Sequence, residues 1–159
     1  MTTTAQLAVD LAPVERILDA HSREQRSLIM ILQDLQQEYR YLPRPALERV
    51  ADAVGVSRSH VFQLATFYRA FSLKPRGKHI CTVCLGTACH VRGAPRLVEH
   101  AERKAGIKAS ETTADLNLTL ETVNCVGACA LGPLVILDGQ YHGNVTLSGL
   151  DKLLKGVKP

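Results

Sequence analysis

Two short cysteine-bearing segments in the second half of the chain constrain its fold more than any other feature. The first has the sequence CLGTAC and runs from Cys84 to Cys89, and the second has the sequence CVGAC and runs from Cys125 to Cys129. Each follows a short apolar run with the pattern of a β-strand. If the fold brings the two segments together, four thiolates can surround one metal centre. We therefore expect a metal site formed by Cys84, Cys89, Cys125 and Cys129.

The spacing within the pairs indicates which centre this is. Zinc sites with four thiolate ligands usually have two-residue gaps, whereas these gaps hold four and three residues. Wider loops suit one 2Fe–2S cluster, in which each iron takes two thiolates. Four small residues would let backbone N–H groups approach the cluster: Gly86, Ala88, Gly127 and Ala128. Arg92 and the N-terminus of a helix that follows the first pair would moderate the negative charge of the cluster. A structural zinc site and four metal-free buried thiols stay open as alternatives.

Two further residues, Cys81 and His90, could compete for a ligand role. Cys81 and Cys84 have the spacing of a redox-active dithiol. If His79–Val83 is a strand, however, residues three apart point to opposite faces, and we predict that Cys81 is a buried apolar residue. Rieske-type clusters use two histidines, but four cysteines already complete the ligand set, so His90 is expected outside it.

Composition excludes several classes of protein. The 159 residues are 46% hydrophobic and 4% aromatic, with a net charge of +4. No run of about 18 apolar residues is present, which argues against a membrane span. The N-terminus lacks the pattern of a secretory signal, so we expect a cytoplasmic protein, free or peripheral to a membrane complex. In a reducing compartment, five cysteines are more typical of metal or redox sites than of disulfides.

Hydrophobic periodicity divides the chain into two halves. An apolar stripe from Leu28 to Leu42 predicts a long helix, with Ser22 as its N-cap and Pro43 as its end. Two further stripes, the second capped by Ser57 or Ser59, complete a small helical bundle. After Lys78 the pattern changes to strand, helix, strand, hairpin and helix, which is typical of a small α/β layer fold. The predicted organisation is α+β, with a mobile arm over 1–11, a helical bundle over 12–73 and an α/β domain over 78–159.

The cysteine segments resemble a known family. CLGTACHVRG from Cys84 to Gly93, followed by CVGAC, is similar to the thioredoxin-like 2Fe–2S subunit of complex I-type NADH dehydrogenases, NAD(P)-linked hydrogenases and formate dehydrogenases. Segments of the helical half also resemble this family: LQDLQ at 32–36 with YLP at 41–43, and ATFY at 65–68 with Phe71. PRGK at 75–78, which joins the two halves, resembles the family as well. Arg40 stands where this family would place glycine before YLP.

This resemblance implies a thioredoxin-like 2Fe–2S ferredoxin domain after the bundle. By motif position, the cluster ligands would be Cys84, Cys89, Cys125 and Cys129. The chain would be a non-catalytic electron-transfer subunit that exchanges single electrons with the flavin of an NAD(P)H-oxidising partner, in an enzyme that could be electron-bifurcating. FMN and NAD(P) would lie on that partner, further iron–sulfur subunits would follow, and no nucleic acid is expected. The amino-acid sequence of the first motif resembles the hydrogenase and formate dehydrogenase branch more than respiratory complex I.

Two other functions compete with this interpretation. The segment from Leu47 to Val61 resembles a DNA-binding helix-turn-helix, which with a cysteine cluster could form a redox-sensing regulator. The cluster domain could also act alone as a free-standing ferredoxin. The helical bundle instead indicates docking to a partner, with Phe62, Phe67 and Phe71 as candidate contacts or as residues of the bundle core.

Overall fold

A computed structural model describes residues 9–157, which divide into two compact units between Pro75 and Arg76. Of the predicted N-terminal arm, positions 1–8 lie outside the described residues, and positions 9–11 have no regular secondary structure. Within the described range, no helix combines the length and the apolar character that a bilayer span requires.

The first unit consists of helices. Four α-helices and one 3₁₀ turn follow one another: α1 (Ala12–Ala20), the turn Gln25–Ser27, α2 (Leu28–Tyr39), α3 (Arg44–Val54) and α4 (Arg58–Phe67). The stripe predicted for the long helix is buried, since Leu28, Ile31, Leu32 and Leu35 all lie in the core of this unit. These side chains pack with apolar residues of the other three helices. The helical bundle predicted from periodicity is confirmed.

Most helix ends follow from local sequence, but both ends predicted for the long helix differ from the structure. Its last residue is Tyr39, short of the predicted end at Pro43, because Arg40 turns the chain in the left-handed conformation at φ 64°. Ser57 caps α4 by accepting the backbone N–H of His60 at 3.2 Å, and Gly55 ends α3 in the left-handed conformation at φ 73°. The predicted N-cap Ser22 is wrong. Ser22 has φ 57° in a turn, and α2 begins only at Leu28, because a 3₁₀ turn comes between them.

The second unit is a five-stranded sheet with helices. Its elements are β1 (His79–Cys84), α5 (Thr87–Val91), α6 (Ala94–Ala105), β2 (Glu111–Thr112), β3 (Leu118–Val123), the 3₁₀ turn Cys129–Leu131, β4 (Val135–Leu137), β5 (Gln140–His142) and α7 (Leu147–Lys155). The strand order is β2-β3-β1-β4-β5. β1 and β3 pair in parallel, and the other neighbours pair antiparallel.

The sequence explains most of these elements. Leu118–Val123 is the predicted strand with the predicted bounds, and Asp138 and Gly139 form the predicted hairpin turn with positive φ at both residues. Periodicity misses α5 and β2, since five and two residues are too short to show a period. The mixed helix-and-sheet class predicted for the chain is confirmed.

Candidate iron–sulfur centre

The parallel pairing of β1 with β3 brings the two cysteine segments to the same edge of the sheet. Cys84, the last residue of β1, lies opposite Val123, the last residue of β3. The backbone N–H of Leu85 donates to the carbonyl of Val123 at 2.8 Å, so the two strands end side by side. The cysteine segments leave from these adjacent strand ends, which is why residues about forty positions apart meet.

The first pair is buried. Cys84 and Cys89 are each 2% exposed. Cys84 ends a strand and Cys89 lies inside the short helix α5. The helix predicted after Cys89 is confirmed as α6, and the structure adds the short helix α5, which begins two residues before Cys89. The cause is the direct turn of the chain at Gly86, whose carbonyl accepts the N–H of His90 at 2.8 Å.

The second pair is exposed. The Sγ atoms of Cys125 and Cys129 are 3.8 Å apart. Gly127 turns the chain between them at φ 85°, and its N–H donates to Cys125 Sγ at 3.3 Å. The prediction that small residues let backbone N–H groups approach the sulfurs is confirmed at this position. Such donors stabilise negative charge on a thiolate.

Two glycines allow the segments to approach each other closely. A Cβ atom on Gly86 would lie 3.3 Å from Cys125 Sγ, and one on Gly132 would lie 3.0 Å from Cys89 Sγ. Each glycine therefore faces a sulfur of the opposite segment. The sequence pattern identifies Gly86 but not Gly132, because Gly132 lies three residues beyond the second pair.

The thiols interact with one another electrostatically. Burial raises the pKa of Cys84, but the backbone N–H groups of Gly86 and Val126, with the neighbouring thiols, outweigh burial and lower that pKa overall. Burial and the Cys84 thiol raise the pKa of Cys89. The hydrogen bond and negative charge of Cys125 raise the pKa of Cys129. Neighbouring thiols thus shift the pKa values of Cys84, Cys89 and Cys129, and a bound metal centre would take the place of the thiol protons.

The donors fit a two-iron cluster. A 2Fe–2S cluster takes thiolates two at a time, and the two segments supply one pair each. A cavity of about 580 Å³ opens onto the second pair, lined by Gly86, Thr87, Ala88, Val91, Arg92, Asn124, Cys125 and Cys129. The chemistry and pairing of these residues therefore suit the cluster.

The competing candidates lie elsewhere. Cys81 is fully buried in the core of the second unit, and burial, with a contribution from Asp138, raises its pKa to about 11. A thiol of that kind is neither a good nucleophile nor a good ligand. His90 is exposed beside Cys89. Arg92 donates to three backbone carbonyls of the second cysteine segment and the residues that follow it.

Comparisons with known proteins identify the family of this chain. The family model for thioredoxin-like [2Fe-2S] ferredoxin matches residues 14–158. A subunit of NADH-quinone oxidoreductase from Rhizobium meliloti (strain 1021) is 40% identical over 136 residues, which are 85% of this chain and 81% of the relative. NADP-reducing hydrogenase subunit HndA of Solidesulfovibrio fructosivorans is 33% identical over 141 residues, 89% of this chain and 82% of the relative.

A solved structure shows the same fold. The crystal structure of an NAD⁺-reducing [NiFe]-hydrogenase in the air-oxidized state superposes with a TM-score of 0.70 at 21% identity. The match covers 82% of this chain but only 22% of the hydrogenase chain. Because the family model spans nearly the whole sequence and both relatives match over most of their length, this chain belongs to the thioredoxin-like [2Fe–2S] ferredoxin family.

Proposed function

We propose that Cys84, Cys89, Cys125 and Cys129 bind one 2Fe–2S cluster and that the chain is an electron-transfer subunit of an NAD(P)H-linked oxidoreductase. The observation that carries the proposal is the convergence of two cysteine pairs from the adjacent ends of β1 and β3, where a Cβ atom on Gly86 of the first segment would lie 3.3 Å from Cys125 Sγ of the second. Membership of a 2Fe–2S family supports the nature of the cofactor.

The bound cluster would accept and release one electron at a time, at a potential near roughly −400 mV if it behaves like plant-type ferredoxins. The residues of the chain would hold the cluster, stabilise its charge and give electrons access to it. Cys84 and Cys89 anchor the buried side of the site. The N–H groups of Gly86, Val126 and Gly127 point toward sulfur and stabilise its negative charge. The exposed pair, Cys125 and Cys129, provides the side through which an electron can enter or leave.

The partner in this proposal is a subunit that carries flavin and oxidises NAD(P)H. A hydride brings two electrons, and a flavin can pass them on singly to a one-electron carrier. The relatives support this because they are named as subunits of NADH-quinone oxidoreductase and of NADP-reducing hydrogenase. FMN and NAD(P) belong on the partner, further iron–sulfur subunits would continue the path, and we place the complex in the cytoplasm or at a membrane surface. If the enzyme is electron-bifurcating, its flavin sends the two electrons of a hydride singly to two acceptors, and this cluster would be one of them.

Exposed apolar residues beside the cavity favour docking there. Val91 is 81% exposed and lines the cavity, and Leu131 is 47% exposed at the end of the second cysteine segment. In the first unit, Phe71 is buried and Phe62 is partly buried, whereas Phe67 is 76% exposed. Of the three phenylalanines, Phe67 is therefore the one that fits a docking role.

The regulator interpretation has less support. The only basic side chain of α4 apart from His60 is Arg58, and it lies 3.9 Å from a Glu48 oxygen and 3.7 Å from an Asp52 oxygen. A cation engaged by carboxylates on its own unit is a poor contact for phosphate.

The test is co-expression of the chain with the flavin- and NAD(P)-binding subunit from the same organism, followed by purification. We expect a complex in which NAD(P)H reduces the cluster. Val91→Glu should weaken the complex. Leu116→Glu is the matched control and should leave the complex intact. Leu116 is also an exposed apolar residue, but it lies just before β3, at the end of that strand away from the cysteine site. A chain that stays monomeric beside its partner would favour the lone carrier, and salt-dependent binding to duplex DNA would favour the regulator.

A further inference from the structure

One side chain links the two cysteine segments. Arg92 follows the end of α5, three residues after Cys89. Its Nη1 donates to the carbonyl oxygens of Cys129 at 3.2 Å, Ala130 at 3.2 Å and Gly132 at 3.1 Å. A residue attached to the first pair therefore holds the backbone that carries the last residue of the second pair.

The carbonyls that Arg92 engages belong to the 3₁₀ turn Cys129–Leu131 and the residue after it. Carbonyl groups at the end of a helical turn lack intrahelical partners and carry partial negative charge, so a cation there is stabilising. The remaining carbonyl in this stretch, that of Leu131, accepts the N–H of Asn144 at 2.7 Å. All four carbonyls from Cys129 to Gly132 thus have donors, and Arg92 supplies a donor to three of them.

The charge of Arg92 is not neutralised by a nearby acid. Within the part of the chain that the structure describes, its side chain bonds to backbone carbonyls and forms no ion pair with a carboxylate. Arg92 also lines the cavity that opens onto Cys125 and Cys129. A full positive charge therefore lies at the exposed side of the cysteine site.

We propose that Arg92 is a positioning residue of this site, which holds the second cysteine segment against the first and raises the reduction potential of the bound cluster. The inference rests on the proposed function. Reduction adds one negative charge to a centre that is already anionic, and a fixed positive charge nearby favours the reduced state. The same three hydrogen bonds keep Cys129 beside Cys125 when that charge changes.

The test compares three variants of the full chain with the wild-type protein, all purified anaerobically. Arg92→Gln removes the charge and keeps a short polar side chain. Arg92→Lys keeps the charge but cannot reproduce the same contacts. Arg96→Gln removes an exposed arginine of α6 that does not line the cavity. The readouts are the midpoint potential of the cluster, followed by electron paramagnetic resonance during a redox titration, and amide hydrogen exchange over residues 126–132.

We expect Arg92→Gln to lower the equilibrium constant for reduction about tenfold, which is a shift of about −59 mV for one electron. Arg92→Lys should stay within about twofold of wild type, because it keeps the charge. Both Arg92 variants should speed exchange over 126–132 while leaving β1 unchanged, and Arg96→Gln should change neither readout. If Arg92→Gln binds no cluster, Arg92→Lys and the exchange measurement still test both parts.

Three results would overturn the inference. An unchanged potential in a cluster-loaded Arg92→Gln would remove the electrostatic role, as would Arg92→Lys shifting as far as Arg92→Gln. Unchanged exchange over 126–132 would remove the positioning role. Wild-type protein without iron and sulfide would refute the proposed function itself, a result that is distinguishable because it is seen before any variant is made.

Discussion

A Cβ atom on Gly86 would lie 2.7 Å from the backbone oxygen of Asn124, closer than a side chain can approach a fixed carbonyl. The two cysteine segments approach each other closely here, since the same Cβ would lie 3.2 Å from Cβ of Cys125. The glycine at this position is required by space and not by a left-handed backbone, because its φ is −55°.

Replacing Gly86 with alanine should separate the two segments. We expect Gly86→Ala to reduce the free energy of unfolding by about 1–3 kcal/mol and to lower the cluster content of the purified protein. The measurements are denaturant unfolding of the apoprotein and iron analysis of the holoprotein. Gly156→Ala is the control, since its Cβ would meet nothing closer than 3.5 Å, and it should change stability by less than about 0.5 kcal/mol. Equal behaviour of the two variants would contradict the close crossing.

The thiol of Cys81 should be inert in the folded protein. Burial and the charge of Asp138 raise its pKa from 9.0 to about 11, so at pH 8 the thiolate is roughly a hundredfold rarer than in the unfolded chain. Alkylation by iodoacetamide, followed by mass spectrometry of the Cys81 peptide, should be at least about a hundredfold slower before denaturation than after it. Labelling at the same rate in both states would show that Cys81 is accessible and revive its role as a redox thiol.

Arg40 carries a conformational cost that glycine would relieve. It ends α2 in the left-handed conformation at φ 64°, at the position where the sequence resemblance leads us to expect glycine. A side chain there costs roughly 1–2 kcal/mol, and glycine gives back part of that through its larger entropy in the unfolded chain. We expect Arg40→Gly to raise the free energy of unfolding of the first unit by about 0.5–1 kcal/mol, measured by denaturant unfolding.

Arg40→Ala is the matched control, because it removes the same side chain but keeps a Cβ in the left-handed region. It should give no gain in denaturant unfolding. If Arg40→Ala stabilises as much as Arg40→Gly, the arginine side chain and not the backbone conformation is the source of the effect.

Glu15 makes the stability of the helical unit depend on pH. Arg49 donates to one of its carboxylate oxygens at 2.5 Å and Arg23 to the other at 3.0 Å, and these contacts, Arg49 first, hold the pKa of Glu15 below its usual 4.5. The unfolded chain therefore binds the proton more tightly. The stabilisation is present above pH 4.5 and is lost as pH falls through the lower native value.

Glu15→Gln should lower the melting temperature at pH 7, and the difference from wild type should shrink as the pH falls below 4.5. Because the site is partly exposed, added salt should reduce the effect as well. Glu38→Gln is the control, since Glu38 lies 3.4 Å from a highly exposed Arg16 and should change the melting temperature little. A Glu15→Gln difference that stays constant from about pH 7 to about pH 3 would contradict the ion-pair explanation.

Much of this architecture can be predicted from local pattern. The buried stripe of α2, the cap at Ser57 and the strand Leu118–Val123 follow from periodicity and capping chemistry, which act within a few residues. The four cysteines are visible because their spacing is unusual. Two elements cannot be predicted in this way. α5 is little more than one turn long, too short to show a period, and β2 consists of two residues that pair with β3.

Some residues of the site can likewise be predicted from the sequence, and others only from the fold. The importance of Gly86 can be inferred because it stands between two cysteines. Gly132 cannot be, since its role appears only when the fold places Cys89 Sγ 3.0 Å from its missing Cβ. Arg92 could be expected near the site from its position after Cys89, but its three carbonyl partners come from a segment about forty residues later.

The central claim is that two cysteine pairs and no other thiol hold the cluster. The most direct measurement is the iron and acid-labile sulfide content of the anaerobically purified chain, compared with Cys→Ser variants at each of the five cysteines. We predict two irons and two sulfides per chain in the wild-type protein and in Cys81→Ser, and loss or marked change of the cluster in the other four variants. Zinc in place of iron, or a cluster that survives the loss of Cys84, Cys89, Cys125 or Cys129 but not of Cys81, would contradict the account.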